Sequence, residues 1–122
     1  MLIDLLNSAN YLMVNMEAIR IFGLNTAVYC SELLNIYKKA VVKNKLYNET
    51  YFKIDRNYIK KQTSLEIEDQ LKCDLNLRKV HIIIPDETDP DMIQFDVEIY
   101  ASILSSEDIK LLDKVSSKVK IE

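Results

Sequence analysis

The residues of this chain that could do chemistry are few, and their spacing decides against most chemistries. His81 is the lone histidine, with no nucleophile or second ligand to accompany it, and directly before the apolar run Ile82-Ile83-Ile84 it reads as a strand-edge residue. Cys30 and Cys73 each lie inside a helical pattern without a nearby Cys or His, so both read as reduced packing residues. Four carboxylates, Asp86, Glu87, Asp89 and Asp91, crowd the stretch "PDETDPD", which lacks the glycine and distal glutamate of an EF-hand, so a solvated turn is expected there. One glycine, Gly23, cannot make a Gly-rich phosphate loop, and no zinc or nucleophile-elbow motif is present. The chain is therefore expected to be non-enzymatic, with no cofactor, no metal and no small-molecule substrate.

Charge gives a sharper signal. The net charge of −3 is unevenly spread: residues 1–80 carry twelve Lys/Arg against nine Asp/Glu, and residues 81–122 carry four against ten. The basic bias peaks between Lys38 and Lys61, where Lys38, Lys39, Lys43, Lys45, Lys53, Arg56, Lys60 and Lys61 are opposed only by Glu49 and Asp55. That segment is the electrostatic footprint expected for an anionic partner.

The elements that must position these groups follow from periodicity. The 122 residues, 48% hydrophobic and 29% charged, fit one soluble domain, and no apolar run is long enough to span a bilayer. Met1-Leu2-Ile3-Asp4 lacks the basic start and apolar core of a signal peptide, so a cytoplasmic location and no membrane partner are expected. "LIDLLNSAN" suits a short helix and "YLMV", 11–14, a short strand. Asn15 can cap a helix over "MEAIRIF", which Gly23 then ends as a left-handed C′ residue; Leu24 is expected to pack back on that helix, and Asn25 to cap the next, about Thr26 to Val42. The inward face of this longer helix is read as Val28, Leu33, Ile36, Tyr37 and Ala40.

Further along, "NETYFKI", 48–54, reads as a strand with Phe52 and Ile54 on one face. Asp55 caps a helix over 56–63 with Tyr58 and Ile59 inward, a tight turn covers Thr63 to Leu65, and a helix runs over 66–80. "HIII" and "MIQFDVEIYA" form a hairpin, the second strand alternating Ile93, Phe95, Val97, Ile99 and Ala101 against Gln94, Asp96, Glu98 and Tyr100. Ser105 and Asp108 open a last helix over 105–121.

Helix, short strand, helix, tight turn, helix, two-stranded hairpin is the order of a winged helix, so the expected class is α+β, mainly α, in a single domain over 1–122 with a core at about 10–103 and extra terminal segments. "NYLMVNMEAIRIFGLNTAVYCSELLNIY" and "YFKIDRNYIKKQTSLEIEDQLKCDLNLRKVHIII" resemble the N-terminal winged-helix domain of phage and plasmid replication-initiation (replisome organizer, DnaD-like) proteins. The likeness lies in the Gly-Leu-Asn break, the Tyr-Phe strand opening and the Thr63-Ser64-Leu65-Glu66 turn, where the family usually carries Thr-Gly-Leu-Ser. It implies a DNA-binding module of a phage-type replication or regulatory protein.

On that reading the third helix of the pattern offers Glu68, Asp69, Lys72, Asn76 and Lys79 on its outer face, and Lys72 and Asn76 are residue types that read guanine and adenine in the major groove. The candidate double-stranded DNA contacts are Lys38, Lys39, Lys53, Arg56, Lys60, Lys61, Lys72, Asn76 and Lys79. The acidic hairpin loop would repel phosphate, so the basic stretch would have to position the backbone. The alternative is a winged helix used for protein contact: Ile67, Leu71 and Leu75 form a second apolar ridge beside Cys73, Leu77 and Val80, suited to a homodimer or another replication protein.

Overall fold

The computed structural model describes residues 12–105. They form helices α1 (Met16–Phe22) and α2 (Leu24–Val42), strand β1 (Tyr51–Lys53), helices α3 (Arg56–Thr63) and α4 (Ile67–Lys79), strands β2 (Ile83–Pro85) and β3 (Met92–Phe95), and α5, helical over 97–105. The protein is mainly helical, with a small antiparallel sheet of strand order β1-β3-β2. Phe52 pairs with Ile93 and Ile83 with Phe95, which sets all four side chains on the inner face against α2, α4 and α5.

Helix α1 starts where Asn15 accepts a hydrogen bond from the Ala18 N–H at 3.0 Å, as its N-cap position predicts. Gly23 both ends it and starts α2: its N–H donates to the Ile19 carbonyl and its own carbonyl accepts from Ala27. The expected details differ here. Gly23 has φ 90° and ψ 165°, an extended conformation reserved to glycine rather than a left-handed helical cap, so α2 begins at Leu24 and Asn25 is inside it. Leu24 accordingly projects outward, 61% exposed, instead of folding back on α1. On α2 the buried face is Ala27, Tyr29, Cys30 and Leu33, while Val28, Ile36, Tyr37 and Ala40 flank it, partly buried.

Helix α2 ends in a Schellman motif. Asn44 takes the left-handed position at φ 56°, the Lys45 N–H reaches the Ala40 carbonyl at 2.8 Å and the Asn44 N–H the Val41 carbonyl at 3.1 Å. The same motif ends α4, with His81 at φ 65° and the Ile82 N–H on the Leu77 carbonyl. His81 is thus a helix-ending residue, not the strand edge expected; β2 begins two residues later. Between α3 and α4, Ser64 is left-handed at φ 67°, and Thr63 both donates to Ile59 and accepts from the Leu65 N–H. Asp55 caps α3 as expected, but of Tyr58 and Ile59 only Ile59 is buried, Tyr58 lying outward.

The largest correction concerns "MIQFDVEIYA". Its alternation is strand only to Phe95, because the Asp96 side chain accepts from the Ile99 N–H at 3.0 Å and starts α5. Helical spacing then turns Tyr100 into the core beside Phe95 and leaves Val97 exposed, the reverse of the strand reading. Residues 12–14 form no strand, and Ser105 is already helical rather than the start of a helix. The helices read over "LIDLLNSAN" and over 106–121 lie outside the described residues. Among the described residues no helix is long and apolar enough to cross a membrane.

Candidate nucleic-acid interface

The basic candidates differ in their surroundings. Arg56 is withdrawn from solvent, and this corrects its assignment as a DNA contact. Its Nη2 meets Asp74 at 2.8 Å, its Nε meets Asp91 at 2.9 Å, and its Nη1 donates to the Tyr29 hydroxyl at 2.9 Å. Tyr29 in turn donates to the other Asp74 oxygen, so α2, α3, α4 and the start of β3 meet at one guanidinium. Burial lowers the Arg56 pKa, but the fields of Tyr29 and Asp74 and the bonds to Asp74 and Asp91 outweigh it, and the net direction is upward. Burial and Asp74 raise that of Tyr29, so the phenol stays protonated.

In sequence Arg56 belongs to the basic run and Asp91 to the acidic loop, and no local pattern ties either of them to Tyr29 or Asp74. The signal was there: Asp74 follows Cys73 on the inward side of α4, a place where a carboxylate must be paired. Gln70, also fully buried, ties α4 back to α3, its side-chain amide donating to the Arg56 and Leu65 carbonyls at 3.0 and 3.1 Å.

The hairpin loop is also changed by its contacts. Asp91 is held by Arg56 and Asp89 by Lys53, while Asp86 accepts from the Thr88 N–H and hydroxyl in a turn that folds the loop on itself. The Lys53 hydrogen bond holds Asp89 below its usual pKa and the Thr88 bonds do the same for Asp86. Three of the four carboxylates are thereby engaged, and Glu87 alone stands exposed without a polar partner among the described residues. No cluster of His, Cys, Asp or Glu among the described residues has the arrangement of a metal site.

The remaining candidates divide by location. Lys60 pairs with Glu66 at 3.0 Å across the α3–α4 turn, and Lys61 is exposed beside it. Lys72 and Lys79 are exposed on α4, but the Asn76 amide is committed to the Thr26 hydroxyl at 2.9 Å, which turns it toward the start of α2. On the same helix Ile67, Leu71 and Leu75 are 40%, 47% and 55% exposed, so none of the described residues covers the second apolar ridge. Lys38 borders a depression of about 380 Å³ that also holds Met13, Val14, Leu34 and Tyr100. Lys39, its neighbour in sequence, borders a different one of about 240 Å³ with Lys43, Lys45 and Lys53. Comparison with known protein families, with characterised proteins and with solved structures gives no match, so the geometry stands on its own.

Proposed function

We propose that the chain is a winged-helix module of a phage-type replication or regulatory protein, non-catalytic and cytoplasmic, that binds double-stranded DNA. The observation that carries this reading is the order of elements: α2, β1, α3, the turn at Ser64, α4, then the β2–β3 hairpin with β1 paired to its far strand. In a winged helix α4 is the helix that enters the major groove and the 86–91 loop is the wing. Ser64 supports the resemblance further, since its left-handed backbone falls where the replication-initiation family carries glycine. Lys61, Lys72 and Lys79 supply the phosphate contacts, and a wing whose acids are tied to Lys53 and Arg56 repels DNA less than its sequence implies. Titration of a labelled duplex by fluorescence anisotropy across ionic strength tests it. Binding that weakens steeply with salt is expected, and absence of binding at low salt overturns the reading.

A second reading has its own observation. The stripe of Ile67, Leu71 and Leu75 on α4 is apolar, left uncovered by the described residues and flanked by Glu68, which favours a protein surface over a phosphate backbone. A second copy docked there would appear as a dimer by light scattering that Leu71→Ser with Leu75→Ser converts to a monomer. A wild-type monomer at high concentration counts against self-association.

A further inference from the structure

The depression between the end of α2 and the sheet is assembled from parts whose shared location has no packing explanation. Lys39 stands on the last turn of α2 and Lys43 one turn on at its C-cap, where the helix dipole accounts for them. Lys45 stands beyond the helix, fixed by the Schellman bonds on either side of Asn44, and Lys53 comes from β1 across the gap. Lys53 is held by Asp89, and Lys39 lies in the field of Glu32. Lys43 and Lys45 have no carboxylate within ion-pair reach among the described residues.

Tyr47 completes the wall. Its N–H and carbonyl are both bonded to Tyr51, at 2.7 and 2.9 Å, and Asn48 and Glu49 have φ of 50° and 68°, the signature of a type I′ turn. The backbone under the ring is therefore fixed, yet the residue is 56% exposed, while Phe52 forms the apolar floor. A rigidly mounted aromatic side chain left in water beside unpaired lysines lacks the burial that would explain it as core.

We propose that this depression binds a short stretch of single-stranded nucleic acid, with Lys43 and Lys45 on successive phosphates, Lys39 at the edge, and an unpaired base stacked on Tyr47. The chemistry selects the class. Separate lysines spaced along an open depression suit a chain of phosphodiesters, and a ring beside them suits a base face that only an unpaired strand exposes. A depression of about 240 Å³ is large enough for a base with its phosphate. The site meets the wing only through the Lys53–Asp89 ion pair, which takes no part in the proposed phosphate and base contacts, so it stands or falls independently of the duplex reading.

The test is fluorescence anisotropy of the full chain with labelled dT12, rU12 and a 16-base-pair duplex, with poly-glutamate as a competing polyanion. Single-strand binding is expected, with a log–log salt slope of roughly two in magnitude from three lysines. Tyr47→Ala should weaken dT12 binding about fivefold to a hundredfold, Tyr47→Phe should retain it, and Lys43→Ala with Lys45→Ala should flatten the salt slope. Equal use of dT12 and rU12 identifies backbone and base stacking as the recognised features; preference for one identifies the sugar as well. Duplex binding should be insensitive to Tyr47→Ala, so its failure while dT12 binds removes the duplex reading alone. No dT12 binding at low salt, an unchanged affinity in Tyr47→Ala with native circular dichroism, or equal displacement by poly-glutamate overturns the proposal.

Discussion

Arg56 and Asp74 meet at 2.8 Å in the interior of the protein, with side chains 9% and 2% exposed, and through Tyr29 and Asp91 they join three helices to the sheet. Their attraction offsets the desolvation of both ions only because the remaining donors and acceptors are filled as well. Arg56→Ala leaves Asp74 and the Tyr29 hydroxyl with one another alone, and it should cost about 3–5 kcal/mol of unfolding free energy in urea. The double variant Arg56→Met with Asp74→Leu should lose much less than the sum of the single losses, because no buried charge is left unpaired. Equal additive losses would mean that the two ions do not act as a pair.

How much of this was legible beforehand varies with the kind of interaction. Asp55, Asn15 and the turn at Ser64 were readable because a cap is local: a side chain within three residues satisfies the orphan N–H groups. The inner faces of β1 and α4 were readable for the same reason, since periodicity is a property of one segment. "MIQFDVEIYA" misled because its alternation suits a strand throughout, and the decision between strand and helix fell to a single capping carboxylate, Asp96. Arg56 misled because its partners lie 18, 27 and 35 residues away, and no window along the chain brings Asp74, Tyr29 and Asp91 together. The candidate DNA face was readable as a basic segment, but how it divides between two depressions depends on the facing of adjacent lysines at the end of α2.

Asp96 makes that decision testable. Its side chain accepts from Ile99 while its backbone N–H donates to the Ile82 carbonyl at 2.7 Å, so one residue closes the sheet and opens α5. Asp96→Ala removes only the cap and should cost about 1 kcal/mol, whereas Asp96→Asn or Ser should retain most of the stability. A loss in Asp96→Asn equal to that in Asp96→Ala would assign the residue a role other than capping.

Gly23 and Ser64 predict opposite outcomes from opposite substitutions. A Cβ at Gly23 meets no atom within 4 Å, so the cost of Gly23→Ala is purely that of φ 90° and ψ 165°, about 1–3 kcal/mol. Asparagine, which tolerates the left-handed helical region but not this one, should not rescue it. At Ser64, φ 67° and ψ 11° are near that left-handed region, and Ser64→Gly should be neutral or stabilising by up to about 1 kcal/mol. Chemical denaturation of the three variants checks both positions.

Cys30 and Cys73 are both buried and free, and burial pushes the Cys30 thiol up to about 12 and raises that of Cys73. Because the thiolate is the nucleophile, neither should react with a disulfide reagent at pH 8 in the native protein, and both should react in denaturant. The rate of labelling under mild conditions then reports the opening of the core. Rapid labelling of Cys30 without denaturant would contradict its burial on the inner face of α2 beside Tyr100.

Glu32 gives the pH dependence of stability a sign. It is 3% exposed on α2, and burial raises its pKa against the opposing pull of Lys39 and a hydrogen bond with Asn35. An acid whose folded pKa lies above its unfolded value binds more protons in the native state between the two. Stability from this group is therefore fully present below the unfolded pKa and falls as pH rises through the folded one. Glu32→Gln keeps the shape and hydrogen-bonding capacity without the charge, so it should raise the melting temperature at pH 7.5 and change it little at pH 4. The difference between the two proteins should grow across the interval above about 4.3, the unfolded glutamate value. A Glu32→Gln protein that is less stable at pH 7.5 than at pH 4, relative to wild type at each pH, would show that the Lys39 attraction outweighs burial.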